Sequence, residues 1–212
     1  MAQKIINFNF SAPYYTRGSL TPNTRQIWLI FHGYGQLANE FAGLFSSLAS
    51  EENYLIFPQG LSKFYLKGID NKIGTNWMTS LDREIDIKNY TTYLDLIFEH
   101  EIKPNAEKAA LNILGFSQGG HTASRWIYHS AITYNKLILW GTTLAHEIDS
   151  MIIRSSFSSG GNFVVLGDQD KYIKEEQLGI IKKRYQKIGF NYELLQYHGG
   201  HDIYPEILNR II

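Results

Sequence analysis

Short apolar runs recur along this chain, each closed by a Gly- or Asp-containing turn and followed by a longer stretch at helical spacing. No other feature constrains the fold as strongly, because this rhythm is the pattern of strand–helix–strand units joined into a parallel sheet. The run Ile27-Trp28-Leu29-Ile30-Phe31 reads as a buried strand, with His32-Gly33-Tyr34-Gly35 after it and a helix over 38–50 carrying Phe41, Leu44, Phe45 and Leu48 on one face. A second strand over 54–57 stops at Pro58 and Gly60. A helix over 86–102 buries Ile87, Tyr90, Leu94, Ile97 and Phe98 and ends at Pro104. Further strands fall at 111–114, 137–140, 163–166 and 192–197, with helices over 118–131 and 175–187 and a terminal helix from about residue 204. Ile6, Phe8 and Phe10 alternate with Asn7 and Asn9 near the N-terminus, which predicts an edge strand there. Residues 61–82 break the rhythm and read as a long loop bearing aromatic residues, a length that compact domains keep for a use. Residues 155–161 read as a short flexible loop. The expectation is one α/β domain over 1–212, a three-layer sandwich with a mostly parallel central sheet.

Composition narrows the function classes. Of 212 residues, 44% are apolar and 19% charged, enough to bury a core and too little charge for a disordered chain. Lys and Arg (20) balance Asp and Glu (20), so no excess positive charge is available to attract nucleic acid. The absence of cysteine excludes a thiol nucleophile, a thiolate metal site and a disulfide framework together. The N-terminal stretch lacks the apolar core of a signal peptide, and the longest apolar runs fall far short of a membrane span. These features predict a soluble, cytoplasmic protein with no nucleic-acid partner and no membrane insertion.

The segment Leu111-Asn112-Ile113-Leu114-Gly115-Phe116-Ser117-Gln118-Gly119 carries a strand through G-x-S-x-G into a helix. A turn this sharp leaves no room for side chains beside the serine and presents Ser117 Oγ above the sheet. It also sets the Gln118 amide at a helix N-terminus, where an N–H without an intrahelical partner can face a developing oxyanion. The motif alone occurs often by chance; the flanking strand and helix make it specific.

A serine hydroxyl needs a general base, and the base needs a group to orient it. Gly167-Asp168-Gln169-Asp170 follows one later strand, and His198-Gly199-Gly200-His201 follows the next, in the chain order Ser, Asp, His. Asp170 is preferred to Asp168, which sits at the strand end where a turn residue would, and His201 is preferred to His198 because two glycines let its loop bend. His198 and His201 as a metal pair lack a supporting carboxylate or cysteine pattern. The second oxyanion donor is assigned to the backbone N–H of Tyr34, after the first central strand. His32, at the end of that strand, is expected to be a packed, hydrogen-bonded residue, and His100, His121, His129 and His146 to be solvated. Phe64, Tyr65, Trp77 and Met78 are candidates for an acyl or leaving-group pocket, with packing of the loop as the alternative.

F-H-G-Y-G at 31–35, F-P-Q-G at 57–60, N-W-M-T at 76–79, D-R-E-I-D-I at 82–87, G-F-S-Q-G-G at 115–120, G-D-Q-D at 167–170 and G-G-H at 199–201 together resemble the phospholipase/carboxylesterase family of α/β-hydrolases, which includes acyl-protein thioesterases. The resemblance covers nearly the whole chain. It implies the α/β-hydrolase fold, Ser117 as nucleophile with Asp170 and His201, and an oxyanion hole from the amides of Tyr34 and Gln118. It also implies a small-molecule ester or thioester substrate, no metal or organic cofactor, and a chain compatible with a homodimer. Family members commonly carry D-x-x-V-P where this chain has Asp170-Lys171-Tyr172-Ile173-Lys174, and W-F-D where it has Trp77-Met78-Thr79. No long insertion follows the sixth strand, so no large lid is expected. The rival readings are an amidase or peptidase using the same residues, and a catalytically silent binding module.

Overall fold

A computed structural model describes residues 1–68, 71–150, 157 and 160–211, with side chains left aside at 149 and 150. Seven strands of the described residues form one sheet: β1 (Tyr14–Arg17), β2 (Gln26–Phe31), β3 (Asn53–Pro58), β6 (Ala110–Phe116), β7 (Lys136–Trp140), β8 (Gly161–Gly167) and β9 (Glu193–Tyr197). Their order is β1-β3-β2-β6-β7-β8-β9; β1 runs antiparallel to β3, and every other pairing is parallel. The remaining two strands, β4 (Ser62–Tyr65) and β5 (Ile73–Asn76), make a separate hairpin.

Two cores result from the two-residue period of the strands. Ile27, Leu29 and Phe31 of β2 face one core with Ile113, Leu139 and Val164, under α2 (Arg83–Ile97) and α3 (Gln118–Ser130), and α4 (Glu175–Ile188) adds Tyr185 to it. Trp28 and Ile30 face the other, with Leu55, Leu114, Ile138 and Trp140, beneath Phe41, Phe45 and Leu48 and the short α5 (Pro205–Leu208). Ile27 to Phe31 are wholly buried, each side chain contributing about 1.5–3 kcal/mol on leaving water. This two-sided burial is why the strand reads as an unbroken apolar run rather than an alternation.

Several local expectations need correction. Residues 1–10 form no strand; Ile6, Phe8 and Phe10 stay exposed, and the free edge of β3 is taken by Tyr14–Arg17 instead. The helix expected over 38–50 is a single turn, α1 (Ala38–Phe41), followed by a 3₁₀ stretch (Ala42–Leu48) in which Phe45 has non-helical angles; Gly43, Ser46 and Ser47 are weak helix formers, and Leu44 turns outward. The loop over 61–82 contains the β4–β5 hairpin. Helix α2 begins three residues earlier than expected and passes into a π-turn (Phe98–Ile102). The terminal helix is one turn. Most of the loop expected at 155–161 lies outside the described residues. No helix among the described residues is long and apolar enough to cross a membrane.

Candidate active site

The carboxyl ends of the parallel strands converge, and the loops leaving β2, β6, β7, β8 and β9 supply the site, where ligands bind in open α/β sheets. Ser117 leaves β6 with φ 52° and ψ −121°, a conformation that costs on the order of 1–3 kcal/mol and is held by its surroundings. Its N–H donates to the Trp140 carbonyl at 2.9 Å. The flanking glycines are sterically required: a Cβ on Gly115 would lie 2.3 Å from Gly120 Cα, and one on Gly119 2.5 Å from the carbonyl oxygens of Phe31 and His32. Gln118 opens α3, so its N–H has no intrahelical acceptor.

Each expected choice between neighbouring residues resolves into a pair. Asp170 and His201 form one: Nδ1–H of His201 donates to Asp170 Oδ2 at 2.6 Å, with the histidine side chain 11% exposed and the carboxylate 0%. Asp170 Oδ1 accepts the backbone N–H groups of Tyr172 (2.7 Å) and Ile173 (3.2 Å), so both carboxylate oxygens are engaged. With Nδ1 donating, Nε2 is the basic nitrogen of the ring; it is buried and has no hydrogen-bond partner among the described residues. His198 and Asp168 form the other pair at 3.0 Å, in solvent, with Asp168 Oδ1 also accepting the Gly199 N–H. That second pair ties the β8 loop to the β9 loop, and the two histidines point to different carboxylates rather than to a shared ion.

The imidazole of His201 is fixed on every side. Its ring lies 4.9 Å from Phe116 and 4.6 Å from Tyr172, centroid to centroid. The Trp140 indole N–H donates to the Asp202 carbonyl at 2.9 Å, and the Tyr197 hydroxyl sits 2.9 Å from the carbonyls of Gly200 and Asp202. Gly141, at φ +59°, leaves room for the ring: a Cβ there would come within 2.9 Å of His201 Cε1. Gly141 and Tyr172 were not singled out from sequence. A glycine directly past a central parallel strand is the signal for the first; the second lies in the 170–174 stretch that departs from the family's D-x-x-V-P.

On the opposite side of Ser117, the loop after β2 is held by its own amides. Gly33 N–H donates to Gln36 Oε1, Gly35 N–H to the Thr75 carbonyl and Gln36 N–H to the Gly33 carbonyl, while the Tyr34 N–H makes no hydrogen bond among the described residues. His32 anchors the loop. Its Nδ1–H donates to the Gly33 carbonyl at 2.7 Å, and its Nε2 accepts the Gly60 N–H at 2.9 Å. Burial pushes its pKa down to about 4, against the opposing pull of the Gly33 carbonyl, so the ring is neutral. His32 is thus the packed residue the sequence implied.

The four aromatic-loop candidates do not line the cavity that Ser117 and His201 border. Trp77 is 1% exposed; it stacks on His32 with centroids 5.0 Å apart and donates its indole N–H to the His32 carbonyl at 3.0 Å, a packing role. Met78 packs against the same core, Phe64 meets the Tyr34 ring at 5.1 Å, and Tyr65 is exposed. The Gln118 side chain clamps this segment, accepting the Trp77 N–H and donating to the Met78 carbonyl. The large cavity lies on the other side: about 840 Å³, it is bordered by Ser117 and His201 and runs along α4, and none of the four aromatic-loop candidates borders it. His121 is a further correction. It is half-buried in the cavity wall, its ring 5.9 Å from that of His146, and burial, aided by Arg125, pushes its pKa down to about 4. His100, His129 and His146 are exposed.

Acyl-protein thioesterase 2 from Zea mays superposes with a TM-score of 0.72 at 16% identity, covering 95% of this chain and 96% of the other. The Bacillus cereus carboxylesterase gives 0.69 at 13% identity (96% and 92% covered), and the carboxylesterase from Mesorhizobium loti 0.67 at 15% (94% and 93%). A search of the curated proteins finds no match. At these identities the structures establish the α/β-hydrolase fold, while residues 21–212 match the family described as Phospholipase/Carboxylesterase. The chain therefore belongs to the phospholipase/carboxylesterase family and is a hydrolase of the carboxylesterase type.

Proposed function

We propose that the protein cleaves small-molecule carboxylic esters, and thioesters by the same route, through an acyl-enzyme on Ser117 with His201 and Asp170 completing a triad. The observation that carries this is the buried 2.6 Å contact between His201 Nδ1–H and Asp170, which leaves Nε2 as the basic nitrogen of a ring bordering the same cavity as Ser117, itself held at a strained elbow. In the first half-reaction Nε2 takes the hydroxyl proton as Ser117 Oγ bonds to the carbonyl carbon. The carbonyl oxygen becomes an oxyanion accepting from the N–H groups of Tyr34 and Gln118, two amides without other acceptors. Collapse breaks the bond to the leaving oxygen or sulfur, which departs with the proton from Nε2. Water then gives a proton to Nε2 while its oxygen adds to the acyl carbon; a second collapse returns the proton to Oγ and frees the acid. Asp170 stays ionised throughout, holding the ring's orientation and stabilising its charged form.

Intact-mass spectrometry after fluorophosphonate treatment tests this without a guess at substrate. One adduct is expected on the wild-type chain and none on Ser117→Ala or His201→Ala. A folded wild-type protein that takes no adduct would refute the mechanism and leave a silent binding module as the better account.

A further inference from the structure

The cavity beside Ser117 and His201 has a composition that the hydrolase reading does not require. Its α4 wall carries an apolar stripe, with Ile180 69% exposed and Ile181 and Ile188 half-buried beside it. Positions 180, 181 and 188 share one face of the helix over roughly 12 Å, with Arg184 set between them. Lys183, Arg184 and Lys187 border the same cavity, and no Asp or Glu among the described residues does. The chain as a whole is neutral, so this group of cations is a local concentration and not a background. Arg184 is committed to structure, donating to the carbonyls of Leu144 and Ala145 at 2.9 and 2.7 Å. Lys183 and Lys187 are exposed, one helical turn apart, and in no ion pair among the described residues. Lys187 lies in the last turn of α4, where a cation also offsets the helix dipole; Lys183, a turn earlier, gains nothing of that kind.

We propose that this cavity reads an anion at the end of an apolar chain: the preferred substrates are esters whose chain lies on the Ile180–Ile181–Ile188 stripe and whose terminal carboxylate meets Lys183 and Lys187. The proposal rests on the hydrolase reading above and names its substrate class. The volume is within the usual range of small-molecule sites, and an apolar stripe with charge set beside it matches an amphiphile better than a neutral ester. The charged chain enters from either half of the ester, acyl or alcohol, and the experiment separates the two.

The test compares kcat/KM within matched pairs at low ionic strength. On the acyl side the pairs are mono-p-nitrophenyl suberate against p-nitrophenyl octanoate, and the sebacate monoester against the decanoate; on the alcohol side the pair is 8-acetoxyoctanoate against octyl acetate. The anionic member is expected to win by about fivefold in one arm, the scale of two partly screened charge contacts. That ratio should fall to one or below in Lys183→Met/Lys187→Met, return in Lys183→Arg/Lys187→Arg, and shrink in 0.5 M salt. The arm showing the preference identifies the half of the ester that enters the cavity. A ratio at or below one in both arms, or one the double methionine variant leaves unchanged, overturns the proposal while neutral esters still turn over. Absence of turnover for every ester together with no fluorophosphonate adduct would instead overturn the hydrolase reading, and this subsite with it.

Discussion

Acid should loosen this protein between pH 6.5 and 4, through a residue with no part in the chemistry. His32 is fully buried and uses both ring nitrogens, one donating to Gly33 and one accepting from Gly60. A second proton would set an N–H against the Gly60 N–H, and its pKa accordingly lies near 4, against about 6.5 in an unfolded chain. Below pH 6.5 the unfolded state therefore binds a proton that the native state refuses, and stability falls with pH until both states are protonated near pH 4. A difference of about 2.5 pH units corresponds to roughly 3 kcal/mol at that limit and about 2 kcal/mol at pH 5, against a typical total of about 5–15 kcal/mol. His121 shifts in the same direction and window but opens onto the cavity, so it adds less. Glu147 is separable: burial raises its pKa, Arg125 and Arg83 outweigh that and hold it at about 2, and the stability it lends is lost only below the ordinary carboxylate range. Urea unfolding at pH 7, 6 and 5 is the assay, with His121→Gln as the background that isolates His32. In that background the unfolding free energy should drop by about 2 kcal/mol from pH 7 to 5. A flat profile would refute the assignment of His32 as a neutral, doubly bonded anchor.

Four substitutions extend the test to the site and its support. Asp170→Asn should lower kcat by about three to four orders of magnitude with little change in fold, while His198→Ala stays within about twofold of wild type, since the latter pair lies in solvent; steady-state kinetics on one ester decides both. Gly141→Ala should displace the His201 ring and cost roughly tenfold or more in kcat with KM little moved, because its Cβ would lie 2.9 Å from Cε1 at a backbone angle unfavourable to alanine; equal losses in kcat and in unfolding free energy would argue against a positioning effect. Trp77→Ala should destabilise the protein by about 3–5 kcal/mol in urea unfolding, and a preserved stability with altered ester selectivity would restore it as a pocket residue.

How far each of these features could be read from residues alone depended on the range of the interaction involved. The central strands and the elbow are written locally, in unbroken apolar runs and in glycines that must flank a sharp turn, and they lie within a residue or two of where the pattern sets them. The N-terminal alternation failed because alternation signals one buried face without saying whether a neighbour exists to bury it; β3 had one free edge, and residues 14–17 occupy it. The wall of the cavity was missed for a related reason. Ile180, Lys183 and Lys187 look like an ordinary amphipathic helix surface until the β8–α4 connection is known to bring that surface alongside Ser117. Trp77 misled in the opposite sense, since an aromatic residue in a long loop reads as a pocket wall and only the His32 ring behind it reveals a core position.

The walls on either side of Ser117 have separate origins in the chain. One, with Tyr34 and Phe64, comes from the β2 loop and the β4–β5 hairpin; the other, with Tyr172 and the α4 stripe, comes from the connection between β8 and β9. Asp170 closes the loop at the start of that connection, its Oδ1 accepting the backbone N–H groups of Tyr172 and Ile173, and Gly189 ends the helix in a left-handed turn. Residues 171–189 are thus bounded at both ends by local geometry, so the cavity wall they carry is written in one continuous segment of chain, separate from the β2 loop that holds the Tyr34 amide.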